Sequence, residues 1–296
     1  MTKKKVFYIV DVFAEEKYAG NQLAVVRDAA NLSDSEMQNI TKEMNYSETT
    51  FILSDGQRDG GYDVRIFTPA REVPFAGHPT LGTAYVIQQE IIKEPVDKVI
   101  LNLKVGKIPV TFNYTGKEKD VLRMKQIEPT FGQIIEPETI FEMLSIDAND
   151  IDERFPIHEV STGMYFIIVP LKTLDAVKRA KVDKDKYFKL IENTQAKAVL
   201  VFCPETYSKE NDLNVRVFVD YFGVPEDPAT GSGNGCLAGY LVKHCYFGEN
   251  QIDIRVEQGY EIARPSLLYL RAEKKEGQIN ISVGGKVVTI ARGELV

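Results

Sequence analysis

Two glycine turns in this chain stand beside residues able to move a proton. The first is Ala76-Gly77-His78-Pro79-Thr80. The second, Thr230-Gly231-Ser232-Gly233-Asn234, follows the loop Pro225-Glu226-Asp227-Pro228. Each turn opens a short apolar helix, so its first backbone N–H groups lack intrahelical partners. Glycine lets a ligand approach the backbone, and the helix dipole favours negative charge there. Two such N-termini facing one cleft would hold an anion, for example a substrate carboxylate. The alternative is two ordinary capped helix starts, with Thr80 and Ser232 or Asn234 as the caps. His78 meets the positive end of a dipole, which disfavours imidazolium and leaves a neutral ring able to donate or accept a proton near pH 7. Asp227 is either a turn residue or an aimed carboxylate. Glu48, in Tyr46-Ser47-Glu48-Thr49-Thr50-Phe51, enters an otherwise apolar strand; it is either an edge or solvent-facing charge, the usual place of a lone Glu, or a carboxyl carried toward the core. Desolvation there would raise its pKa above the ordinary carboxyl value of about 4.3.

Other chemistries are disfavoured. Gly231-Ser232-Gly233-Asn234-Gly235 has Cys236 where the third glycine of a dinucleotide motif would stand, and no phosphate-loop lysine follows a glycine-rich run. The three histidines (His78, His158, His244) and three cysteines (Cys203, Cys236, Cys245) show no local ligand spacing, so neither a metal nor another cofactor is expected. His158 reads as a strand-edge residue, and His244 as a helix C-terminal residue where a cation is welcome. Lys+Arg 36 against Asp+Glu 43 gives a net charge of -7, which argues against nucleic acid as a partner. No apolar run reaches the length of a membrane span. Three cysteines in 296 residues make no disulfide framework and point to the reducing cytoplasm.

Short β-branched and aromatic runs, bounded by Gly, Pro, Asn or Asp, mark fourteen strands from Val6–Val12 to Val287–Ala291. Helices are expected at 33–44, 80–89, 137–144, 183–192 and 234–244, the first opening with the capping-box pair Ser33 and Glu36. Strands outnumber helices and few helices sit as crossovers, so a parallel doubly wound sheet is disfavoured. The helices after the two glycine turns are apolar nearly all round and must be enclosed by other elements. A mostly antiparallel sheet rolled around a central helix meets that need, once in each half. The halves echo each other: Asp63-Val64-Arg65-Ile66-Phe67 matches Asn214-Val215-Arg216-Val217-Phe218, and an acid-containing loop, a glycine turn and a buried helix follow each. The expected domains are 1–126 and 127–296, with the strand at 284–296 a candidate to rejoin the first.

The segments Asp11-Val12-Phe13, Gly20-Asn21-Gln22-Leu23-Ala24-Val25-Val26, Ser47-Glu48-Thr49-Thr50-Phe51, Gly77-His78-Pro79-Thr80-Leu81-Gly82 and Glu226-Asp227-Pro228-Ala229-Thr230-Gly231-Ser232 together resemble the phenazine-biosynthesis PhzF-like family. That resemblance implies the α+β diaminopimelate-epimerase-like fold, two pseudo-symmetric barrel-helix domains with the site in the cleft between them, and a homodimer. It assigns proton transfer to Glu48, assisted by His78, Asp227 and Ser232. Substrate contacts are expected from Asn21, Gly77, Thr80, Thr230 and Gly231. Related epimerases and racemases place a thiol before each glycine turn. Here those places hold Ala76 and Thr230, neither able to take a proton from carbon. The expected activity is a cofactor-independent isomerisation of a small carboxylated metabolite. The alternatives are a non-catalytic metabolite-binding or interaction protein and a Glu-based epimerase.

Overall fold

The computed structural model describes residues 4–116 and 120–296. It is mixed α+β, and the chain divides into two compact units, Met1–Met124 with Gly284–Val296 and Lys125–Val283.

In the first unit, β1 (Lys5–Val12) lies between β2 (Asn21–Val26) and the C-terminal strand β18 (Val287–Leu295), antiparallel to both. Helix α1 (Asp34–Met44) carries the chain to β3 (Thr49–Ile52), which runs parallel to β2. Its Ser33–Glu36 capping box is formed as expected, and Met37 seals the outer face of the sheet with Val26, Phe51 and Phe67. Next come β4 (Tyr62–Phe67) and the two-residue β5 (Glu72–Val73), both antiparallel pairings. Helix α2 (Gly77–Val86) then crosses to β6 (Lys98–Leu103), parallel to β4, which pairs with β7 (Gly106–Phe112), itself beside β8 (Leu122–Lys125). Helix α2 is buried on almost every side, packed on β1, β2, β3, β6, β7 and β18. The absence of a polar face in the sequence is thereby explained.

The second unit repeats the order. β10 (His158–Ser161) lies between β9 (Thr130–Ile134) and β11 (Tyr165–Pro170). β12 (Ala198–Cys203) runs parallel to β11, followed by β13 (Leu213–Val219) and β14 (Val224–Asp227) in antiparallel pairings. Helix α6 (Gly231–Lys243) crosses to β15 (Gln251–Gln258), parallel to β13, and β16 (Ser266–Lys275) and β17 (Gln278–Gly285) follow. Helix α6 packs on β10, β11, β15 and β16. Where the first unit has one outer helix, this one has α3 (Pro137–Leu144), α4 (Leu174–Arg179) and α5 (Lys184–Glu192). They cover the outer face through Ile140, Met143, Val177, Tyr187 and Leu190 against Ile167, Val199 and Val201. With α6 on the other face, β12 is buried along its whole length, which is why it reads as an unbroken apolar run.

The two central helices begin earlier than the sequence suggests, at Gly77 and Gly231 rather than near Thr80 and Asn234. Their N-caps are Ala76 and Thr230, and neither makes a side-chain capping bond. Thr80, expected as a cap, instead donates its hydroxyl to the Ala76 carbonyl at 2.7 Å. Helix α2 runs on into a π-helical stretch, Ile87–Ile92. Four strands (β5, β9, β10 and β14) and α4 had no matching run in the sequence. Among the described residues, no helix is long and apolar enough to cross a membrane.

Candidate active site

Each unit gathers its own set of the residues singled out in the sequence. In the first, Glu48 immediately precedes β3, the strand held between β2 and β4, and His78 is the second residue of α2. The packing of α2 on β3 brings His78 Nε2 to 3.5 Å from Glu48 Oε2, with side-chain exposures of 7% and 18%. Burial drives the imidazole pKa down to about 3, so the ring is neutral. The ring also bonds to the Gln22 backbone, and this favours its protonated form, as a carbonyl accepting from a ring N–H does. Nε2 makes no hydrogen bond among the described residues and faces the Glu48 carboxyl. Asn21 opens β2 and is buried beside this group in sequence, opposite Val12.

The second set surrounds the start of α6. Asp227 ends β14, paired with Val217 of β13. Thr230 donates its hydroxyl to Asp227 Oδ2 at 2.5 Å, and Gly231 then opens the helix. Ser232, half-buried in its first turn, has its carbonyl 3.5 Å from the Thr162 hydroxyl. Gln258, which sequence reasoning passed over, and Asn234, read there only as a candidate cap, complete this group. Gln258 bonds to Asp227 and Thr230, and Asn234 bonds to Thr230 and Gln258. Gln258 lies 31 residues from Asp227, and no local pattern links them.

The other histidines differ from expectation. His158 is an interior-strand residue with β9 on one side and β11 on the other, not a strand edge, and its Nδ1 sits 3.1 Å from His244 Nε2. Burial, then His158 and Lys243, lower the His244 pKa to about 4, so it is a neutral partner and not a cation at the helix end. Cys236 is enclosed within α6, its thiol pushed up to about 12 by burial, and it serves as core.

The arrangement supports acid–base chemistry: a carboxyl against a neutral imidazole, a carboxylate oriented by a hydroxyl, and two long buried helices with uncapped N-termini and no acidic residue in the first turn. A mostly antiparallel sheet wrapped on a buried helix, made twice, is also the fold of a solved probable proline racemase from Agrobacterium radiobacter (TM-score 0.62, 9% identity, covering 99% of this chain and 93% of that one). The family model described as phenazine biosynthesis-like protein matches residues 10–293. A trans-2,3-dihydro-3-hydroxyanthranilate isomerase from Pseudomonas aeruginosa is 33% identical over 288 residues, 97% of this chain and 98% of its own. The solved PhzF-family protein of Bacillus anthracis superposes with a TM-score of 0.91 at 26% identity, covering 100% of both chains. The chain belongs to the phenazine biosynthesis-like family, PhzC-PhzF, and is an enzyme of the isomerase class.

Proposed function

We propose that this protein moves a proton between two carbons of a small carboxylated metabolite, with Glu48 as the carrier and without a cofactor. The carrying observation is the Glu48–His78 pair, a carboxyl 3.5 Å from an imidazole that burial keeps neutral. In this reading the carboxyl takes a proton from one carbon, the electron pair spreads into the conjugated substrate, and the carboxyl, which exchanges its proton with solvent before the second step, delivers a proton to a second carbon. No atom or electron is lost. The neutral ring of His78 stands against the carboxyl as its polar partner and orients it. Developing negative charge on the substrate is met by the N–H groups that open α2 and α6, at Gly77 and Gly231. Asp227, Thr230, Ser232 and Asn21 hold the polar groups of the substrate. Ala76 and Thr230 provide no thiol pair, so the route is not that of a two-thiol racemase.

The relative from Pseudomonas aeruginosa acts on trans-2,3-dihydro-3-hydroxyanthranilate, which makes that compound the first probe. Incubated with it in D2O, the purified protein should yield an isomer of the substrate in which one hydrogen, at the newly protonated carbon, is replaced by deuterium. Failure to isomerise this compound, together with a panel of related unsaturated hydroxy and amino carboxylates, would overturn the proposal.

A further inference from the structure

We propose that Gln258 is a positioning residue for Asp227, acting through the Thr230 hydroxyl. This rests on the reading above only in taking Asp227 as part of the site. Gln258 ends β15 and is fully buried. An amide side chain offers two N–H donors and an oxygen with two lone pairs, and here all four are used. Nε2 donates to the Asp227 carbonyl at 2.8 Å and to Thr230 Oγ1 at 3.0 Å. Oε1 accepts from the Thr230 backbone N–H at 3.1 Å and from Asn234 Nδ2 at 2.8 Å. Two of these partners are backbone groups with fixed roles, a carbonyl that can only accept and an N–H that can only donate, so the amide has one orientation.

That orientation decides where the Thr230 proton goes. The hydroxyl has a single proton, and its oxygen already accepts from Gln258, so its O–H points along the 2.5 Å contact to Asp227 Oδ2. Asn234, also fully buried, ties the same turn to the helix by donating to the Thr230 carbonyl at 3.1 Å. The direction of the Asp227 carboxylate is thereby set against the start of α6.

The first unit provides an internal control. Strand registers make Val73 the counterpart of Asp227, because Val73 pairs with Ile66 as Asp227 pairs with Val217. They likewise make Leu103 the counterpart of Gln258, one residue beyond the matched pairs Asp63–Asn102 and Asn214–Glu257. Counting from the two helix-opening glycines, Ala76 matches Thr230 and Thr80 matches Asn234. The first unit builds the same strands, turn and buried helix with apolar residues at three of these four places, and the fourth, Thr80, keeps only the bond to the N-cap carbonyl. The network is therefore not what the fold requires, and it occurs only where there is a carboxylate to aim.

The test labels the protein with carboxyl-13C aspartate and assigns Asp227 as the resonance lost in Asp227→Asn. Thr230→Val should displace that resonance at pH 7, and Thr230→Ser, which keeps the hydroxyl, should restore it. Gln258→Met, similar in volume but without donors, should displace it in the same direction as Thr230→Val. With trans-2,3-dihydro-3-hydroxyanthranilate, Gln258→Met should lower kcat/KM by about ten- to a hundred-fold. A resonance unmoved by Gln258→Met overturns the proposal whether or not that compound is turned over. If Gln258→Met does not fold, equal resonance positions in Thr230→Val and Thr230→Ser overturn it. Lack of turnover by the wild type, with the resonances behaving as expected, counts against the functional reading alone.

Discussion

Arg65 and Arg216 make the same two-pronged ion pair, once in each unit. Arg65 meets Glu72 through Nε and an Nη at 2.9 and 2.7 Å, and Arg216 meets Glu226 at 3.0 and 2.7 Å. Each guanidinium also lies over a phenylalanine two residues on, Phe67 at 5.0 Å and Phe218 at 4.8 Å. In the register, Glu72 faces Phe67 as Glu226 faces Phe218. The duplication thus keeps what holds β4 to β5 and β13 to β14. It changes the positions to which the chemistry is assigned in the proposed function. Thr49 pairs with Phe67 and Val199 with Phe218, so Glu48 corresponds to Ala198, and His78 corresponds to Ser232.

The two ion pairs differ in how replaceable they are. Arg216 and Glu226 are 11% and 8% exposed, and the guanidinium also bonds the Val177 and Ala180 carbonyls at the end of α4. A lysine there keeps the charge but cannot fork, so Arg216→Lys should cost about 2–4 kcal/mol. Around Arg65 a second cation, Lys104, already sits 2.5 Å from Glu72. Arg65→Lys should cost less than half as much. Urea unfolding of the two variants checks this, and equal losses would refute the assigned difference in burial.

Gly259 limits what the approach to Asp227 tolerates. Its φ is +78°, and a Cβ there would lie 2.4 Å from the Arg264 carbonyl and 2.5 Å from that of Pro228. Both obstacles are backbone, so neither can rotate away. Gly259→Ala should destabilise by at least about 2 kcal/mol, from the left-handed conformation and the clash together, and should reduce turnover beyond the loss of folded protein. Thermal unfolding alongside activity per folded molecule measures both. A stable, fully active variant would show that the Pro228 segment gives way freely.

The motifs around Glu48, His78 and Asp227 were legible because they are contiguous, and the two buried helices because they lack a polar face. Their true starts were not, since Gly77 and Gly231 are poor helix formers by propensity and only tertiary packing winds them into the first turn. β9 and β10 were obscured by Gly132 and by Glu159, a fully buried carboxylate that accepts from the backbone N–H groups of Gln133 and Ala196. A buried glutamate satisfied by distant backbone leaves no apolar alternation to read. Gln258 was invisible for the same reason: its partners are set by the fold, not by spacing.

The histidines make the protein sensitive to acid. His78 has a folded pKa of about 3, below the unfolded value of about 6.5, so between these limits the unfolded chain binds the extra proton and stability rises with pH. The stabilisation is complete above about pH 7 and is lost progressively as pH falls from about 6.5 toward 3. His158 and His244 are displaced in the same direction, chiefly by burial, and add to the slope. His78 alone should account for about 2 kcal/mol between pH 7 and pH 5. Urea midpoints across this range should fall with acid, and the fall should be shallower in His78→Gln. An unchanged slope would mean that His78 charges freely in the folded state.

The remaining prediction concerns the proton carrier. Glu48→Gln preserves shape and hydrogen bonding but cannot carry a transferable proton. The carboxyl faces Nε2 of a neutral ring, and an amide, which both donates and accepts, can take that place, so the local fold and substrate binding should survive. KM should stay within a few-fold while kcat drops by at least ~10²-fold, the scale of a general acid–base group. Deuterium from D2O should appear in the wild-type product at the reprotonated carbon and should be missing over the same interval with the variant. His78→Gln, by contrast, keeps the carboxyl and removes only its partner, so its loss in kcat should be smaller than that of Glu48→Gln. The order of the two losses is decisive. If Glu48→Gln turns over at the wild-type rate while His78→Gln or Asp227→Asn is inactive, the proton travels by one of those groups and Glu48 is not its carrier.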